Sequence, residues 1–503
     1  MLANIYTVIL ALPVAFLGYW AVQILSIWIR LRGVPGVRAP VLANNPISSI
    51  RWMLKTLHMQ NQNRLYEHFT SAFDRATPQC PNTVEFQVGR RRVLMTRDPE
   101  QVKTVLTGKF ASFGKGKMVH DAASPFLGDS IFTTDGHQWQ QSRTLIRPMF
   151  VKDRVRDIEI FHSCAEELMT KIVPGQSVDI SDLFYRMTLD VTTEFLLGHK
   201  VGALENPRSE FSKAFTEVQR MQVVRVILFP FRHLIPLPGY FSGIRTIERF
   251  ADPYIEATLK LNPSDLEDLS KSDKGFSFLH QIALFSRDPK VIRDQIFAVL
   301  IAGRDTTAAT LSWAMYEIAA QPTIWQRLRE ETLDRLGKDG DPTYEDLKGL
   351  TFLNHTINET LRLYPAVPYN LRSCLQNATL PGKPGQPDIA VCEGDVIMYS
   401  TYAMQRRRDL YPEVSDKFAD PAVFSPERWE SWTPKPWQFI PFNGGPRICI
   451  GQNFAMTEMA FTMVRLLQKY SRVEYRGDWS AQFHKAELVG CPGQGVPIAL
   501  YED

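Results

Sequence analysis

The sequence lacks closely spaced cysteines, internal repeats and an excess of charge of either sign. Its six cysteines never show the Cys-x-x-Cys spacing that is typical of structural zinc sites, so a zinc cluster is not predicted. Without repeats or low-complexity tracts, solenoid and disordered architectures are excluded. The 57 Lys and Arg residues against 54 Asp and Glu residues leave a net charge of +3, too balanced for binding nucleic acid by phosphate neutralisation.

The chain also lacks a linker-like stretch of Gly, Ser or Pro after its first fifty residues. Length alone would suggest about three domains of average size. Because no linker separates them, we predict one large domain over residues 51–503. Residues 33–50 begin with the helix-breaking segment Gly33-Val34-Pro35-Gly36 and are predicted to form a hinge.

Charged residues are missing from Ile5 to Ile29. A helix of that length reaches about 37 Å and can cross a hydrocarbon core of about 30 Å, so residues 1–32 are predicted to be a transmembrane anchor. A cleavable signal peptide is the alternative, although its apolar core is usually only about 7–15 residues long. Arg30, Arg32 and Arg38 follow the span and no basic residue precedes it, so the positive-inside rule places the rest of the chain in the cytosol.

The remaining sequence is typical of a mainly α fold with a minor β-sheet. Strand-like runs occur at residues 84–88 and 92–95, and helical patterns dominate the chain that follows. One long helix is predicted to begin after Asp288, because Asp is a suitable N-cap and Pro289 fits the first helical position. No further proline follows until Pro322, so this helix could extend for about 50 Å.

The middle of this predicted helix is apolar until residues 302–307 interrupt it with polar side chains. Gly303 permits a close approach to the backbone, and the Thr306 hydroxyl can turn from the carbonyl one turn back toward a ligand. With Asp305 beside it, this pattern indicates a groove that contains a proton source. A back-bonded threonine next to a solvated aspartate at a surface bend is the alternative.

Cys449 stands in a glycine-containing loop that directly precedes an apolar, helix-like run. Gly445 and Gly451 have no Cβ atom, so backbone N–H groups can approach the sulfur. The run from Gly451 to about Lys469 would direct the positive end of a helix dipole at the sulfur. These features predict a cradle for one thiolate held against a metal, with an ordinary buried cysteine as the alternative.

Two pairs of residues have the spacing of neighbours on one helical face. Glu359 and Arg362 lie three apart and can form an ion pair, although a surface pair of this kind is common and stabilises a protein little. Trp139 and Arg143 lie four apart, which suits one anionic group of a ligand. A cation–π pair on a surface helix is the alternative for the second pair.

The cysteine loop and three other segments resemble the cytochrome P-450 superfamily. Residues 442–451 spell Phe-x-x-Gly-x-Arg-x-Cys-x-Gly, which resembles the superfamily's haem-ligand loop. Residues 302–307 resemble its oxygen-binding groove. Its Glu-Arg-Arg triad, which locks the core beneath the haem, is matched by Glu359, Arg362 and Arg428. Together with Trp139 and Arg143, these motifs occur in the superfamily's order along nearly the whole chain.

This resemblance implies a P-450 fold that binds haem b, iron protoporphyrin IX, with Cys449 as the axial ligand of the iron. It also implies that Asp305 and Thr306 relay protons to dioxygen. Ala302 stands where some animal fatty-acid hydroxylases have a glutamate that esterifies the haem, so a non-covalent haem is expected. The residues implied to contact the haem are Trp139, Arg143, Arg372, Arg447 and, within the cysteine loop, Phe442.

At a finer level the chain resembles fungal microsomal hydroxylases of alkanes and fatty acids, on segments that include residues 113–116, 127–132 and 367–372. That likeness implies attack near the terminal methyl group of a long chain. It also implies electrons from NADPH through an NADPH-cytochrome P-450 reductase, with cytochrome b5 as a further candidate partner. The implied location is the endoplasmic reticulum membrane, with a single span and a cytosolic catalytic domain. Residues 489–493 do not look typical of that group, which leaves the chain-length preference open.

Several alternatives stay open on the sequence. They are oxidation of xenobiotic or secondary-metabolite substrates, isomerisation or dehydration without external electrons, and a haem sensor or carrier. The presence of both Asp305 and Thr306 favours oxygen activation.

Two further hypotheses concern the surface of the protein. The apolar run at residues 226–231, with Leu234, Ile235 and Leu237 beyond, is predicted to enter the bilayer, with packing in the core as the alternative. Residues 406–408 are predicted to dock the reductase, with a solvated charge run as the alternative.

Overall fold

The chain folds into two compact units. The computed structural model describes residues 18, 20–88, 91–150, 158–227, 237–271, 276–416 and 418–502. The first unit comprises residues up to 116, residues 369–404 and residues 444–447, and the second comprises residues 117–368, 405–443 and 448 onward. The predicted division into an anchor, a hinge and one catalytic domain stays a prediction.

Helices form most of the regular structure and the strands are short, which confirms the predicted fold class. The helices in chain order are α1 (residues 20–32), α2 (Pro46–Asn61), α3 (Leu65–Ser71), α4 (Pro99–Lys103), α5 (Gly116–Leu127), α6 (Gly136–Ile146), α7 (Ile158–Thr170), α8 (Ile180–Leu197), α9 (Glu210–Ile227), α10 (Pro238–Leu259), α11 (Pro263–Lys271), α12 (Phe278–Phe285), α13 (Pro289–Ala319), α14 (Pro322–Leu336), α15 (Tyr344–Gly349), α16 (Thr351–Leu363), α17 (Thr401–Met404), α18 (Arg428–Ser431) and α19 (Gln452–Lys469). The strands are β1 (Val41–Ala43), β2 (Thr83–Val88), β3 (Arg91–Thr96), β4 (Phe113–Gly114), β5 (Val178–Asp179), β6 (Tyr369–Cys374), β7 (Ala378–Leu380), β8 (Ile389–Val391), β9 (Val396–Ser400), β10 (Arg472–Tyr475), β11 (His484–Ala486), β12 (Gly490–Pro492) and β13 (Pro497–Tyr501).

The first unit is built on a six-stranded sheet with the strand order β1-β2-β3-β9-β6-β4. The two strand-like runs of the sequence form its antiparallel pair β2 and β3, in which Thr83 lies opposite Thr96 and Val88 lies opposite Arg91. These strands are rich in β-branched residues, which fit a pleated and buried surface. The predicted strands are therefore confirmed, and a second pair, β7 and β8, lies in the same unit.

The chain between α1 and α2 is hydrogen-bonded to the first unit. The Val37 N–H donates to the Asp388 carbonyl at 2.8 Å, and the Ala390 N–H donates to the Val37 carbonyl at 2.9 Å. Gly36 has a φ of 114°, and a Cβ atom there would lie 2.5 Å from the Asp388 carbonyl oxygen. The helix break predicted at residues 33–36 is thus confirmed, because only glycine fits this approach.

The predicted transmembrane span falls largely on residues 1–17 and 19, which lie outside the described residues. Among the helices that the structure does describe, none combines the length and apolarity needed to cross a bilayer.

A cluster of ionised side chains is buried in the first unit. Arg92, which is 1% exposed, donates from Nη2 to Glu85 Oε2 at 2.6 Å and from Nη1 to Asp395 Oδ2 at 2.7 Å. Two further arginines complete the cluster: Arg30, in the last turn of α1, lies 2.8 Å from Asp395 Oδ1, and Arg38, which follows α1, lies 2.5 Å from Glu85 Oε1. The cluster therefore holds residues 30–38 against the sheet.

The second unit is built around the long helix α13. Its N-terminus is capped by Asp288, whose carboxylate accepts a hydrogen bond from the Lys290 N–H at 2.8 Å, with Pro289 in the first turn. The helix has 31 residues and is about 46 Å long, close to the predicted length. It packs lengthwise against α8 and lies in a large apolar core that includes residues of α7, α16 and α19.

Two small sheets, β10-β13-β5 and β11-β12, border this helical core. The β11-β12 pair touches α13, since the Trp313 indole N–H donates to the Gly490 carbonyl at 3.1 Å. The apolar run predicted to enter the bilayer lies outside the described residues, apart from Leu237 and the backbone of residues 226 and 227.

Candidate functional site

The Cys449 loop has the cradle geometry that the sequence predicts. The Cys449 N–H donates to the Phe442 carbonyl at 2.9 Å and closes the loop. Helix α19 begins at Gln452 with Gly451 as its N-cap, and the Gly451 N–H donates to the Cys449 sulfur. Cys449 is exposed as a residue, whereas the five other cysteines are buried or half-buried.

Protein nevertheless surrounds the sulfur closely enough to change its acidity. Burial raises the pKa of the Cys449 thiol, while the Gly451 N–H and the positive charge of Arg143 act to lower it. Arg143 also donates from Nη1 to the Ile448 carbonyl at 3.1 Å, directly beside the cysteine. The thiolate form is therefore supported by one N–H donor and one cation.

Trp139 and Arg143 lie on one face of α6, as predicted. The Arg143 guanidinium carbon is 5.9 Å from the centre of the Trp139 ring. Trp139 is buried, and the pair has the cation–π geometry that the sequence offered as the alternative. Because Arg143 also contacts the cysteine loop, α6 places a cation beside the cysteine.

The other two predicted haem cations lie in the first unit. Arg372 on β6 is 2% exposed and donates from Nη1 to Asn370 Oδ1 at 2.9 Å and to the Leu371 carbonyl at 2.8 Å. The guanidinium carbon of Arg447 lies 6.0 Å from the centre of the Phe110 ring. The buried Arg372 guanidinium retains donors beyond those two bonds, which suits a buried anion.

The loop around the cysteine carries the donor that a thiolate-ligated haem needs. At Gly445, where φ is 67°, a Cβ atom would lie 2.1 Å from the Leu106 carbonyl oxygen, so the loop packs tightly only with glycine. A sulfur with thiolate support is the donor that an iron porphyrin of the thiolate class requires. The residues present therefore fit haem.

Asp305 is buried and held by two neighbours that the sequence did not identify. Gln219 on α9 donates from Nε2 to Asp305 Oδ2, and Arg304 Nη1 lies 3.2 Å from Asp305 Oδ1. Burial raises the pKa of Asp305, while Arg304 and Gln219 act to lower it. The alternative of a solvated aspartate at a surface bend is thus excluded.

Thr306 is back-bonded, since its hydroxyl donates to the Ala302 carbonyl at 2.8 Å. The backbone at Gly303 is approached by Thr192 on α8, whose Oγ1 would lie 2.8 Å from a Cβ atom at position 303. Gly303 therefore permits close packing of two helices. The hydroxyl of Thr306 is the group that must change its hydrogen bond before it can donate to a ligand.

Glu458 on α19 is a buried carboxyl group that the sequence analysis missed. It is 1% exposed, and burial raises its pKa well above the usual range, with the Thr307 hydroxyl acting to lower it. Both oxygens of this carboxyl group are buried without a hydrogen-bond partner among the described residues. The available signal was a single carboxyl group in the otherwise uncharged stretch from residue 452 to residue 464.

Glu359, Arg362 and Arg428 form the predicted triad, wholly buried in the second unit. Arg362 donates from Nε and Nη2 to the two carboxylate oxygens of Glu359 at 2.8 Å each, and Arg428 Nε donates to Glu359 Oε1 at 2.9 Å. Burial alone would raise the pKa of Glu359, but the two guanidinium groups hold it below its usual value. The alternative of a surface ion pair is excluded.

The basic run at residues 406–408 is engaged within the second unit. Arg407 pairs with Asp409 at 2.6 Å, and Arg408 pairs with Asp420 at 2.7 Å. The Arg406 guanidinium carbon lies 5.7 Å from the centre of the Tyr364 ring. A partner that docked on this run would have to compete with these contacts.

Comparisons with known proteins agree with the motifs. The family model described as Cytochrome P450 matches residues 46–489. Cytochrome P450 monooxygenase pvhE of Talaromyces variabilis is 43% identical over 443 residues, which cover 84% of this chain and 82% of that protein. Cytochrome P450 52A1 of Candida tropicalis is 39% identical over 407 residues, with 76% of this chain and 73% of that protein covered.

A solved structure extends the agreement to the fold. The crystal structure of the cytochrome P450DA haem domain matches with a TM-score of 0.73 over 89% of this chain and 94% of that chain. Its sequence is only 20% identical, so this match concerns the fold alone.

Proposed function

Because the chain belongs to the cytochrome P450 family of monooxygenases, we propose that it hydroxylates long-chain fatty acids or n-alkanes near the terminal methyl group. The motifs that resemble fungal alkane and fatty-acid hydroxylases support this substrate class. Fungal relatives named cytochrome P450 52A, at 35–39% identity, agree with it. The observation that carries the haem-thiolate assignment is Cys449 in its N–H and arginine cradle.

Haem b, bound without a covalent link, would supply the activation of dioxygen with electrons that originate from NADPH. The Cys449 sulfur would hold its iron, and Phe442 belongs to the same loop. Arginine side chains pair well with buried carboxylates, so Arg143, Arg372 and Arg447 would offset the two haem propionates, with Trp139 supporting Arg143.

Proton delivery is assigned to Asp305 and Thr306. Asp305 is shielded from solvent, so its carboxyl group can hold a proton more readily than an exposed aspartate. The Thr306 hydroxyl would exchange its bond to the Ala302 carbonyl for a bond to the ligand. Gln219 and Arg304 orient the carboxylate and act as positioning residues.

Electrons would come from an NADPH-cytochrome P-450 reductase, with cytochrome b5 as a second candidate donor. The charge-free segment at residues 5–29 would anchor the chain by a single span in the endoplasmic reticulum membrane, with the catalytic part in the cytosol. A membrane location suits a lipophilic substrate and a membrane-bound electron donor.

The test is turnover of purified full-length protein with NADPH, reductase and a series of fatty acids and alkanes. We expect a terminally hydroxylated product formed in proportion to the NADPH consumed. Product formed without NADPH would identify an isomerase or dehydratase, and haem that binds substrate without turnover would identify a sensor or carrier. Preference for aromatic xenobiotics would contradict the substrate class alone.

A matched pair of variants tests the proton path in the same assay. Thr306→Val should lower the ratio of product to NADPH consumed several-fold, because its hydroxyl is the one beside Asp305. Thr310→Val is the control, since Thr310 also donates to the carbonyl one turn back, at 2.8 Å, and lies on the same helix. Equal ratios in the two variants would contradict a role for Thr306.

A further inference from the structure

Four oxidisable aromatic side chains lie in ring-to-ring contact in the second unit. The Tyr364 ring stacks on the Trp313 ring with 4.1 Å between their centres, and the Trp313 ring meets the Tyr316 ring edge-on at 5.5 Å. The Tyr316 ring in turn stacks on the Trp479 ring at 5.1 Å. Tyr364, Trp313, Tyr316 and Trp479 together form what we call the aromatic chain.

Packing alone does not explain the composition of the aromatic chain. Another group of contacting rings in the same unit consists of phenylalanines: Phe150, Phe161, Phe195, Phe278 and Phe454. A phenyl ring supplies apolar surface without a polar atom that needs a hydrogen-bond partner. It also resists one-electron oxidation, whereas indole and phenol rings do not. The composition of the aromatic chain therefore suits redox chemistry.

The aromatic chain leads from the interior of the second unit to its surface. Trp313 and Tyr316 are 2% and 5% exposed, whereas Trp479 is 44% exposed. Hydrogen bonds fix the two buried rings: the Trp313 indole N–H donates to the Gly490 carbonyl at 3.1 Å, and the Tyr316 hydroxyl donates to the Trp479 carbonyl at 2.9 Å. The aromatic chain is thus a fixed route with one end in contact with solvent.

The other end of the aromatic chain has a proton acceptor. The Tyr364 hydroxyl donates to Glu317 Oε1. A phenol loses its proton when it is oxidised, so a carboxylate within hydrogen-bond reach makes that oxidation easier. Burial raises the pKa of Glu317 to about 7, and the nearby Glu359 acts in the same direction, while Tyr364 and Arg406 act to lower it. Both protonation states of Glu317 are therefore populated near neutral pH.

Helix α13 connects the aromatic chain to the proposed oxygen site. Trp313 follows Thr306 by seven positions, which places the two residues on one face of the helix and about 10 Å apart along its axis. Oxygen activation without a substrate leaves an oxidising equivalent in the protein, and thiolates such as that of Cys449 are readily oxidised. A second route for that equivalent would preserve the cysteine.

We propose that the aromatic chain carries oxidising equivalents from the haem site to the surface when no substrate is attacked, an inference that rests on the proposed oxygen activation. Tyr364 gives one electron to the oxidised site and its phenolic proton to Glu317, which leaves a neutral tyrosyl radical. An electron from Trp479 then passes through Tyr316 and Trp313 to Tyr364, which takes its proton back. Trp479 loses its indole proton to water, and regains it when a soluble donor such as ascorbate supplies the missing electron.

The test is electron paramagnetic resonance of the full-length holoprotein, frozen after mixing with cumene hydroperoxide in the absence of substrate. The hydroperoxide supplies oxidising equivalents without NADPH or reductase. We expect a tyrosyl signal in the unmodified protein and its loss in Tyr364→Phe. A signal of equal size in Tyr364→Phe, or no protein radical after the haem has reacted in the unmodified protein, would overturn the proposal.

The proton acceptor is tested by Glu317→Gln, because an amide does not take up the phenolic proton. This variant should reduce the tyrosyl signal severalfold. In the unmodified protein the signal should increase as the pH rises through about 7, since only the ionised carboxylate accepts a proton, and Glu317→Gln should lose that pH dependence. The control is Glu474→Gln, outside the aromatic chain, where the Tyr501 hydroxyl donates to Glu474 at 2.8 Å. Equal loss in the two variants would contradict the role of Glu317.

The surface end is tested by the rate at which cumene hydroperoxide bleaches the haem in the presence of ascorbate. Trp479→Phe should bleach severalfold faster, because a phenyl ring does not pass the electron on. Trp479→Tyr restores an oxidisable ring and should return the rate to that of the unmodified protein, which a role in packing alone would not explain. Trp52→Phe, in the first unit, is the control and should leave the rate unchanged. Equal rates in Trp479→Phe and the control would overturn the surface route.

These measurements also separate the aromatic chain from the proposed function. Hydroxylated product formed with NADPH, together with the absence of a protein radical, would overturn the aromatic chain and leave the oxygenase standing. A radical that Tyr364→Phe abolishes, without hydroxylation of any fatty acid or alkane, would support the aromatic chain and contradict the substrate class. A protein without thiolate-ligated haem would overturn both.

Discussion

Two buried ion clusters, one in each unit, have opposite compositions. The cluster of the second unit has one carboxylate between two guanidinium groups, and the cluster of the first unit has one guanidinium between two carboxylates. Their members are Glu359, Arg362 and Arg428 in the second unit and Arg92, Glu85 and Asp395 in the first.

The difference lies in how each cluster offsets its excess charge. The positive cluster uses nearby backbone carbonyls, since Arg362 donates to Pro421 at 2.7 Å and Arg428 donates to Val423 at 2.8 Å. The negative cluster uses Arg30 and Arg38, whose side chains are 29% and 34% exposed. One cluster is therefore complete within the core, whereas the other depends on the last turn of α1 and the segment that follows it.

The largest effect is expected when the single carboxylate of the positive cluster is removed. Glu359→Gln leaves two buried guanidinium groups without a counter-charge and should lower the free energy of unfolding by about 3–5 kcal/mol. Denaturant unfolding measures this. Glu427→Gln, an exposed neighbour, should change the same quantity by less than about 0.5 kcal/mol. If Glu359→Gln lowered the free energy of unfolding as little as the control does, backbone carbonyls alone would satisfy Arg362 and Arg428.

Removal of Arg92, the buried central cation of the negative cluster, should have a slightly smaller effect that depends on pH. Arg92→Met leaves two carboxyl groups buried together and should cost about 3 kcal/mol at neutral pH. Burial already raises the pKa of Asp395, and the loss of Arg92 raises it further. A carboxyl group with a raised pKa binds a proton more readily in the folded state, so the deficit should shrink as the pH falls from neutral toward about 4.

The control for this pH dependence is Arg91→Met, the half-buried neighbour on the same strand. Side chains alternate between the faces of a strand, so Arg91 does not share the position of Arg92. Its unfolding free energy should follow that of the unmodified protein at every pH. A deficit in Arg92→Met that grows toward acid would contradict the arrangement.

Asp305 extends the comparison of the two clusters, because this buried carboxylate contacts one cation, Arg304, and one side-chain amide, Gln219. Gln219→Ala should cost about 2 kcal/mol, the value of a hydrogen bond to a charged group, and should raise the pKa of Asp305. The pH profile of product formed per NADPH should therefore move to higher pH. Gln222→Ala, which removes a buried amide bonded to Tyr240 at 2.6 Å, should lower stability without moving the profile.

The smallest effect is expected at the partly exposed edge of the negative cluster. Arg30→Gln or Arg38→Gln should each cost about 1 kcal/mol or less, because solvent screens exposed ion pairs. The cost should decrease in concentrated salt. Arg32→Gln is the control, since its guanidinium lies 3.4 Å from the centre of the Trp28 ring. If salt changed the stability cost of Arg30→Gln or Arg38→Gln no more than that of Arg32→Gln, the ion pairs of Arg30 and Arg38 would be contradicted.

Local features were predictable because spacing along the chain determines them. Glu359 and Arg362 lie three apart on one helix, and their pairing follows from helical geometry. The start of α13 followed from Asp288 and Pro289, whose capping roles are local. The cysteine cradle followed for the same reason, because the loop and the N-terminus of α19 are adjacent in sequence.

Contacts between distant parts of the chain were not predictable in this way. Arg92 and Asp395 are separated by 303 positions, and Gln219 and Asp305 by 86, so no spacing pattern links them. The sequence analysis interpreted Gly303 as an opening for a ligand, whereas the structure places Thr192 of α8 against it. Only the packing of helices and strands decides which side chains meet over such distances.

The most direct test of the central claim is the absorption spectrum of the reduced protein with carbon monoxide. If the Cys449 sulfur ligates haem iron, the full-length protein should show the red-shifted Soret band of a thiolate-ligated haem. Cys449→Ser should lose that band, while Cys164→Ser, at a buried cysteine of the same unit, should retain it. A spectrum without the shifted band in the unmodified protein, or one that Cys449→Ser leaves unchanged, would contradict the assignment.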